Sequence, residues 1–386
     1  MEADPLADGA VNELDVRSLR QHAPGPRIAL AHDYLSERGG AERVVISLTR
    51  VFPGVPLYTS VYDAARYPEL EGVDVRPSGL NRIAPLRPRH RVTLPVLPMA
   101  YRRFHVDADV VLCSSSGWSH GISTEAPKVV YCHNPPRWIY QRLEYSATRK
   151  RYWLASRITD PYLRRWDQKV SRECHTYIAN SSTVARRIRE IYGREAEVVP
   201  PPTTLDTSGP QEPVAGLEPG YLLSVGRLLA YKNVDKLIEA FRQLPGQRLV
   251  IVGDGPLRPV LTASAPKNVV VTGRVSDEQL RWLYANCAGL VSAAREDFGL
   301  TPVEAALYGK PSAVVRAGGF LDTTVEGTTG VFLEGTTPEQ ICDGVREMLT
   351  TEWSSEAITK SAERFSEEGF GRRLREIVIS AADGIV

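Results

Sequence analysis

Two carboxylates, Glu296 and Glu304, stand in the stretch Glu296-Asp-Phe-Gly-Leu-Thr-Pro-Val-Glu304-Ala-Ala-Leu-Tyr-Gly-Lys-Pro311. An ionised carboxylate accepts hydrogen bonds from sugar or ribose hydroxyls and steadies positive charge near it. Arg227 and Lys232 share one loop, and an arginine fork beside a lysine point charge suits a diphosphate. His133 ends the apolar run Lys128-Val-Val-Tyr-Cys-His133, and the prolines at 135 and 136 forbid a longer strand. Gly39 and Gly40 open a helical pattern, where backbone N–H groups can approach a phosphate. Each feature has a plain structural reading too. Glu304 can close a helix cap, Glu296 can be a solvated loop acid, and Arg227 and Lys232 can be surface bases. His133 can be satisfied by backbone, and the glycine pair can be a tight turn.

The elements that must carry these residues follow from the apolar pattern. Gly289 to Ala293 predicts a buried strand just before Glu296. Thr301 then predicts a helix cap, with Pro302 first and Glu304 third as a capping box, and with Gly309 and Pro311 as the stop. Upstream, strand Tyr221 to Val225 leads into Gly226-Arg227, and a helix after Asn233 shows Val234, Leu237, Ile238 and Phe241 at helical spacing. Strand Leu249 to Val252 precedes Gly253-Asp-Gly-Pro256. That is not a dinucleotide fingerprint, because Arg258 stands where the third glycine belongs. Strand Val269 to Thr272 enters Gly273-Arg274-Val275, and Ser276 with Gln279 predicts another capped helix.

The first half reads similarly. Strands are expected over Arg27 to His32, Pro56 to Ser60, Val73 to Arg76, Ala108 to Ser115, Lys128 to His133 and Thr176 to Asn180. Helices are expected over Ala41 to Val51, over 152–174 and after the cap Ser181. Continuous apolar strands alternating with helices predict doubly wound parallel sheets. Residues 1–24 are expected to be a disordered tail, 25–205 a first domain, 206–218 a linker and 219–364 a second domain, with a closing helix over 365–386.

The 386 residues carry 47 Lys and Arg against 46 Asp and Glu, which gives no global field for nucleic acid. The five cysteines are scattered without a CxxC pair. This predicts a reduced, cytoplasmic chain without a zinc site. No apolar run approaches the roughly 18 residues of a membrane span. Residues 76–103 differ from the rest. They hold Arg76, Arg82, Arg87, Arg89, Arg91, Arg102 and Arg103, interleaved with apolar side chains and without an acid. Such a segment suits an anionic membrane surface or a lipid-linked acceptor, and equally a solvated face over a core helix.

The run from Glu296 to Pro311 resembles the retaining glycosyltransferases of family GT4, which have the GT-B fold. His32-Asp-Tyr-Leu, Gly39-Gly-Ala-Glu-Arg43 and Tyr131-Cys-His-Asn-Pro-Pro-Arg-Trp138 are similar to stretches of GT4 mannosyltransferases that build bacterial polysaccharides. The resemblance covers roughly residues 27–385. It implies two Rossmann-like domains facing a cleft, with the donor mainly on the second and the acceptor mainly on the first. Gly39 and Gly40 would lie against the donor diphosphate and the acceptor. Gly226, Arg227 and Lys232 would bind the diphosphate. Arg274 and Val275 would form the turn that reads the base, and Glu304 would hold the ribose. Phe298, Gly299 and Leu300 would join Glu296 in the donor site, and His133 would lie beside the transferred sugar. Glu296, His133, Arg227 and Lys232 form the implied catalytic set. The implied reaction moves a hexosyl group, with GDP-mannose the favoured donor, to a glycan or lipid-linked hydroxyl with retained configuration. It needs no metal or other cofactor. A GT-B epimerase or hydrolase would share the fold but needs acid–base carboxylates near the sugar. A non-catalytic nucleotide-sugar binder would tolerate loss of Glu296.

Overall fold

The computed structural model describes residues 25–83, 96–141 and 150–384, with side chains from 160 onward in the helix Lys150–Arg172. The expected tail 1–24 and the middle of the basic segment, 84–95, lie outside the described residues.

Two parallel sheets organise the chain. The first contains β1 (Ile28–His32), β2 (Leu57–Thr59), β3 (Val75–Pro77), β4 (Val110–Ser115), β5 (Lys128–Cys132), β6 (Thr176–Ala179) and β7 (Ala196–Val198), in the order β3-β2-β1-β4-β5-β6-β7. The second contains β8 (Leu222–Val225), β9 (Leu249–Val252), β10 (Val269–Gly273), β11 (Gly289–Ser292), β12 (Ser312–Val315) and β13 (Gly330–Leu333), in the order β10-β9-β8-β11-β12-β13. Both orders reverse beside their first strand, between β1 and β4 and between β8 and β11. Such reversals open crevices at the carboxyl ends of parallel strands.

Alternation along each strand explains the layers. In the first sheet Leu30, Leu112 and Tyr131 face one apolar cluster, while Ala31, Cys113 and Val130 face another. In the second, Leu222 and Ile251 face one layer and Leu223 and Val250 the other. Strands buried on both sides need apolar residues at every position, which is why their sequences run continuously apolar. The expected doubly wound α/β class is what the structure shows.

After the second sheet the chain returns. The helix Glu367–Ala382 places Phe370, Leu374, Ile377 and Val378 in the core of the first sheet. Arg373 forks onto Glu197 at 2.5 and 2.8 Å, and Arg375 donates to the Val51 carbonyl at 3.0 Å.

One local expectation is corrected. The helix expected to begin at Pro302 spans Leu300–Leu307, and its cap is Gly299 with φ of 87°, not Thr301. Glycine takes the left-handed region without steric cost, so the chain turns at Gly299 before Thr301 can cap. Glu304 therefore lies in the second turn, and its carboxylate is free for other partners.

Candidate active site

The crevice between β8 and β11 gathers residues far apart in sequence. Gly226 and Arg227 leave β8, Lys232 follows on the same loop, and Glu296 follows β11; all line one cavity with Ser224, Ser292 and Ala294. The Lys232 ammonium is in direct contact with the Glu296 carboxylate. Asn233 explains how that loop is held. It adopts left-handed backbone with φ of 52°, and its side-chain amide donates to the Ala293 carbonyl at 2.8 Å, tying the loop to the end of β11. Burial, with Arg137 and Arg227 close by, pulls the Lys232 ammonium down to about 7, against the opposing pull of Asp297. The Glu296 carboxylate in contact with it also favours the charged form.

Gly226 is open to solvent on the side where a Cβ would point, while a Cβ on Gly253 would come within 1.9 Å of the Gly226 carbonyl. This close backbone approach leaves the mouth of β8 free for a ligand. Arg227 is half exposed, with Nη1 3.5 Å from Glu37 of the first domain. Arg274 is exposed beside Asp254 at 3.6 Å, and Val275 packs on the neighbouring apolar cluster.

Glu304 is buried and has two partners. Tyr284 donates to one carboxylate oxygen at 2.6 Å, and Arg43 of the first domain reaches the other at 3.3 Å. Sequence reading missed both, since neither lies near Glu304 in the chain. Phe298 buries its ring against Phe365 and Val303, so that side chain is part of the core and not of the cleft lining. Gly299 and Leu300 form the turn into the helix that carries Glu304.

On the facing domain, Gly39 caps the helix Gly40–Val51 without any side-chain hydrogen bond. Its backbone is extended, and a Cβ on Gly40 would meet nothing within 4 Å. A Cβ on Gly39 would come within 2.7 Å of the Glu42 carboxylate, so Gly39 makes room for that side chain, while the space beside Gly40 is open. Glu42, in the first turn, is buried, and desolvation raises its carboxyl to about 7. Asp33, at the end of β1, accepts from the backbone N–H groups of Ser116, Trp118 and Ser119 at 2.6, 3.1 and 2.7 Å, which closes the β1–β4 crevice into a rigid wall. His133 belongs to the same wall. Its Nε2 meets Ser114 Oγ at 2.7 Å, and burial pushes it down to about 3, so the imidazole is neutral. Its hydrogen bonds run to Ser114, Ser115 and Asn180 within the first domain. The loop that follows it does cross the cleft: Arg137 contacts the Asp297 carboxylate, the neighbour of Glu296.

Family models match both halves of the chain. Glycosyltransferase Family 4 covers residues 38–207 and Glycosyl transferases group 1 covers residues 210–371. The chain belongs to the group 1 glycosyltransferases. The junction of the two models falls at the proline-rich stretch between the two sheets. Among curated relatives of this group 1 glycosyltransferase, a D-inositol 3-phosphate glycosyltransferase of Nocardiopsis dassonvillei is 28% identical over 55% of the chain and 57% of its own length. The D-rhamnosyltransferase WbpZ of Pseudomonas aeruginosa is 30% identical over 48% of the chain and 51% of its own length. The chain thus spans about half the length of these relatives. In fold it is similar to Anabaena HepE, solved with UDP and glucose, at a TM-score of 0.67 and 18% identity over 92% of this chain and 100% of that one. It is equally similar to sucrose-phosphate synthase of Thermosynechococcus elongatus, at 0.68 and 18% over 91% of this chain and 97% of that one. Both likenesses establish the GT-B fold of this group 1 glycosyltransferase.

Proposed function

We propose that this chain transfers a hexosyl group from a nucleoside diphosphate sugar to a hydroxyl acceptor, with retained configuration. The observation that carries the reading is the contact between Lys232 and Glu296 at the β8–β11 reversal, beside Gly226 and Arg227. A diphosphate there would meet a lysine, an arginine and open backbone, with a carboxylate within reach of the attached sugar. As the glycosidic bond breaks, negative charge grows on the leaving phosphate, and the buried Lys232 and the half-exposed Arg227 stabilise it. The same phosphate can take the acceptor's proton, so no protein base on the far face of the sugar is required. The charge supplied by Arg227 and Lys232 also leaves no task for a metal ion. His133, held neutral, serves as a hydrogen-bonding group on the sugar.

GDP-mannose is the proposed donor. It is supported by the resemblance of Tyr131 to Trp138 to polysaccharide mannosyltransferases; the relatives named above include a rhamnosyltransferase and an inositol 3-phosphate glycosyltransferase. Incubation with GDP- and UDP-linked hexoses, followed by melting temperature, tests the donor. The bound sugar at about 100 times its Kd adds roughly 2.7 kcal/mol of stability. Proton NMR of the product's anomeric centre tests retention. A larger shift with UDP sugars would overturn the GDP assignment, and an inverted product would overturn the mechanism.

The acceptor reading is a glycan or lipid-linked hydroxyl presented at an anionic membrane surface. Ile83, Val96 and Met99 are exposed at 49%, 43% and 53% on either side of residues 84–95. Among the described residues no helix is long and apolar enough to cross a membrane. Liposome flotation with and without anionic lipid tests surface binding, and equal binding to both vesicle types would exclude it.

A further inference from the structure

The segment between β11 and the helix Leu300–Leu307 is held from both domains at once. From its own domain, the Gly319 N–H donates to the Glu296 carbonyl at 2.9 Å. A Cβ on Gly318 would fall 2.1 Å from that carbonyl, and one on Gly319 would fall 2.2 Å from Phe298 Cα. The backbone of Glu296, Asp297 and Phe298 is therefore packed tightly under a glycine loop. From the other domain, Arg137 and Arg187 both reach the Asp297 carboxylate, Arg187 at 2.6 Å. Ser181 donates to the Asp297 carbonyl at 2.6 Å, and Arg187 also donates to the Asn134 side chain at 3.2 Å. Asp297 and both arginines are mostly buried. The guanidinium of Arg137 lies 5.7 Å from the Tyr231 ring centroid, and the Lys232 ammonium lies 5.2 Å from the same ring.

We propose that Asp297 is a positioning residue: through its paired arginines, closure of the first domain onto the second sets the place of the Glu296 carboxylate and of Lys232. This rests on the transferase reading above. The segment cannot absorb a shift of Asp297, because its backbone is pinned by Gly318 and Gly319. A displacement at the domain seam is thus passed to the adjoining Glu296. Tyr231 carries the same constraint from Arg137 to Lys232 along a second route. The reacting groups are correctly placed only when both arginines sit on Asp297. A misplacement of the order of an ångström at a reacting group costs on the order of 10²-fold in rate.

The test uses the full chain and its nucleotide sugar. Asp297→Asn keeps the shape of the side chain and removes the charge that holds two guanidinium groups. Single-turnover transfer should fall on the order of 10–100-fold, while affinity for the free nucleoside diphosphate falls by no more than about threefold, since Lys232 is reached through Asp297 but Arg227 and the Gly226 backbone are not. Arg187→Ala should show the same split more weakly, and the double variant should be little worse than Asp297→Asn alone, because both act through one contact. Transfer by Asp297→Asn within about twofold of wild type would overturn the proposal, as would fully multiplicative effects in the double variant or an equal loss of nucleotide affinity. Small-angle scattering keeps the two readings apart. The ligand-free Asp297→Asn chain should have a larger radius of gyration than wild type, whether or not the wild type transfers sugar. An unchanged radius would remove the clamp, and an inactive wild type with a widened variant would remove only the transferase reading.

Discussion

Lys232 and Glu296, 64 residues apart in the chain, place their opposite charges in contact between β8 and β11. Burial holds Lys232 down at about 7, so it titrates across the neutral range. Below that value it carries the charge a diphosphate meets, and above it the charge is lost. Affinity for a nucleoside diphosphate should therefore fall on the order of 10-fold from about pH 6 to 8.5. Lys232→Met should lose that slope, leaving only the nucleotide's own ionisation, which calorimetry on both proteins subtracts. Because leaving-group charge grows in the transition state, Lys232→Met and Arg227→Ala should each lower kcat on the order of 10²–10³-fold.

Glu296→Gln keeps the shape of the side chain but removes the charge that would steady a positive sugar ring. Nucleoside diphosphate affinity should stay near wild type while single-turnover transfer slows on the order of 10²-fold. Transfer at the wild-type rate would reduce Glu296 to a loop acid.

Gly40→Ala separates folding from binding. The position is the first of a helix, and a Cβ there meets open space. Alanine should stabilise the free chain by about 0.5–1 kcal/mol. A phosphate against that backbone would be crowded, so nucleotide affinity should fall on the order of 10-fold as the melting temperature rises. A rise in stability with unchanged affinity would place the diphosphate elsewhere.

Glu42 should make stability depend on pH. Its carboxyl rises to about 7 in the folded chain, from an ordinary value of 4.5, because burial disfavours the carboxylate. Between those values the folded state keeps a proton that the unfolded chain releases, so stability falls as pH rises through the window. Glu42→Gln mimics the protonated acid. It should match wild type near pH 5 and exceed it by up to about 3 kcal/mol near pH 8, read from thermal melts.

Tyr284→Phe leaves the buried Glu304 carboxylate short of one short hydrogen bond. Bonds to charged groups are worth about 1.5–3 kcal/mol, and denaturant unfolding should show a loss of that size. Loss of the Arg43 contact, which is half exposed on the arginine side, should cost less than about 1 kcal/mol.

What the sequence revealed and what it hid follow from separation along the chain. Ser276 bonds to the Gln279 N–H and Ser181 to the Val184 N–H, each within three residues, so both caps were legible. The central strands of both sheets were legible because both their faces are covered and they run continuously apolar, whereas β7, an exposed edge strand, and β12 and β13 were not read. The cap at Thr301 was misread because the left-handed preference of Gly299 outweighs the hydroxyl two residues later. The clamp on Asp297 was not legible, because Arg187 lies 110 residues away and no local pattern marks the meeting. The same holds for Tyr284 and Arg43 on Glu304: each contact exists only once two separate elements have docked.

The helix Glu367–Ala382 has a consequence for how the chain is made. A ribosome delivers β1 to β7 before any of the second sheet, yet Phe370, Leu374 and Val378, which complete the first core, are delivered after β13. Domains ordinarily fold in the order of their synthesis. Here the face carrying Leu112 and Tyr131 is covered only in part, by the helix Gly40–Val51, until Phe370 and Leu374 emerge after β13, while the later half can close first. Growing chains of this protein thus carry a partly open apolar surface beside Tyr131 while the second sheet emerges, a natural holding site for a chaperone.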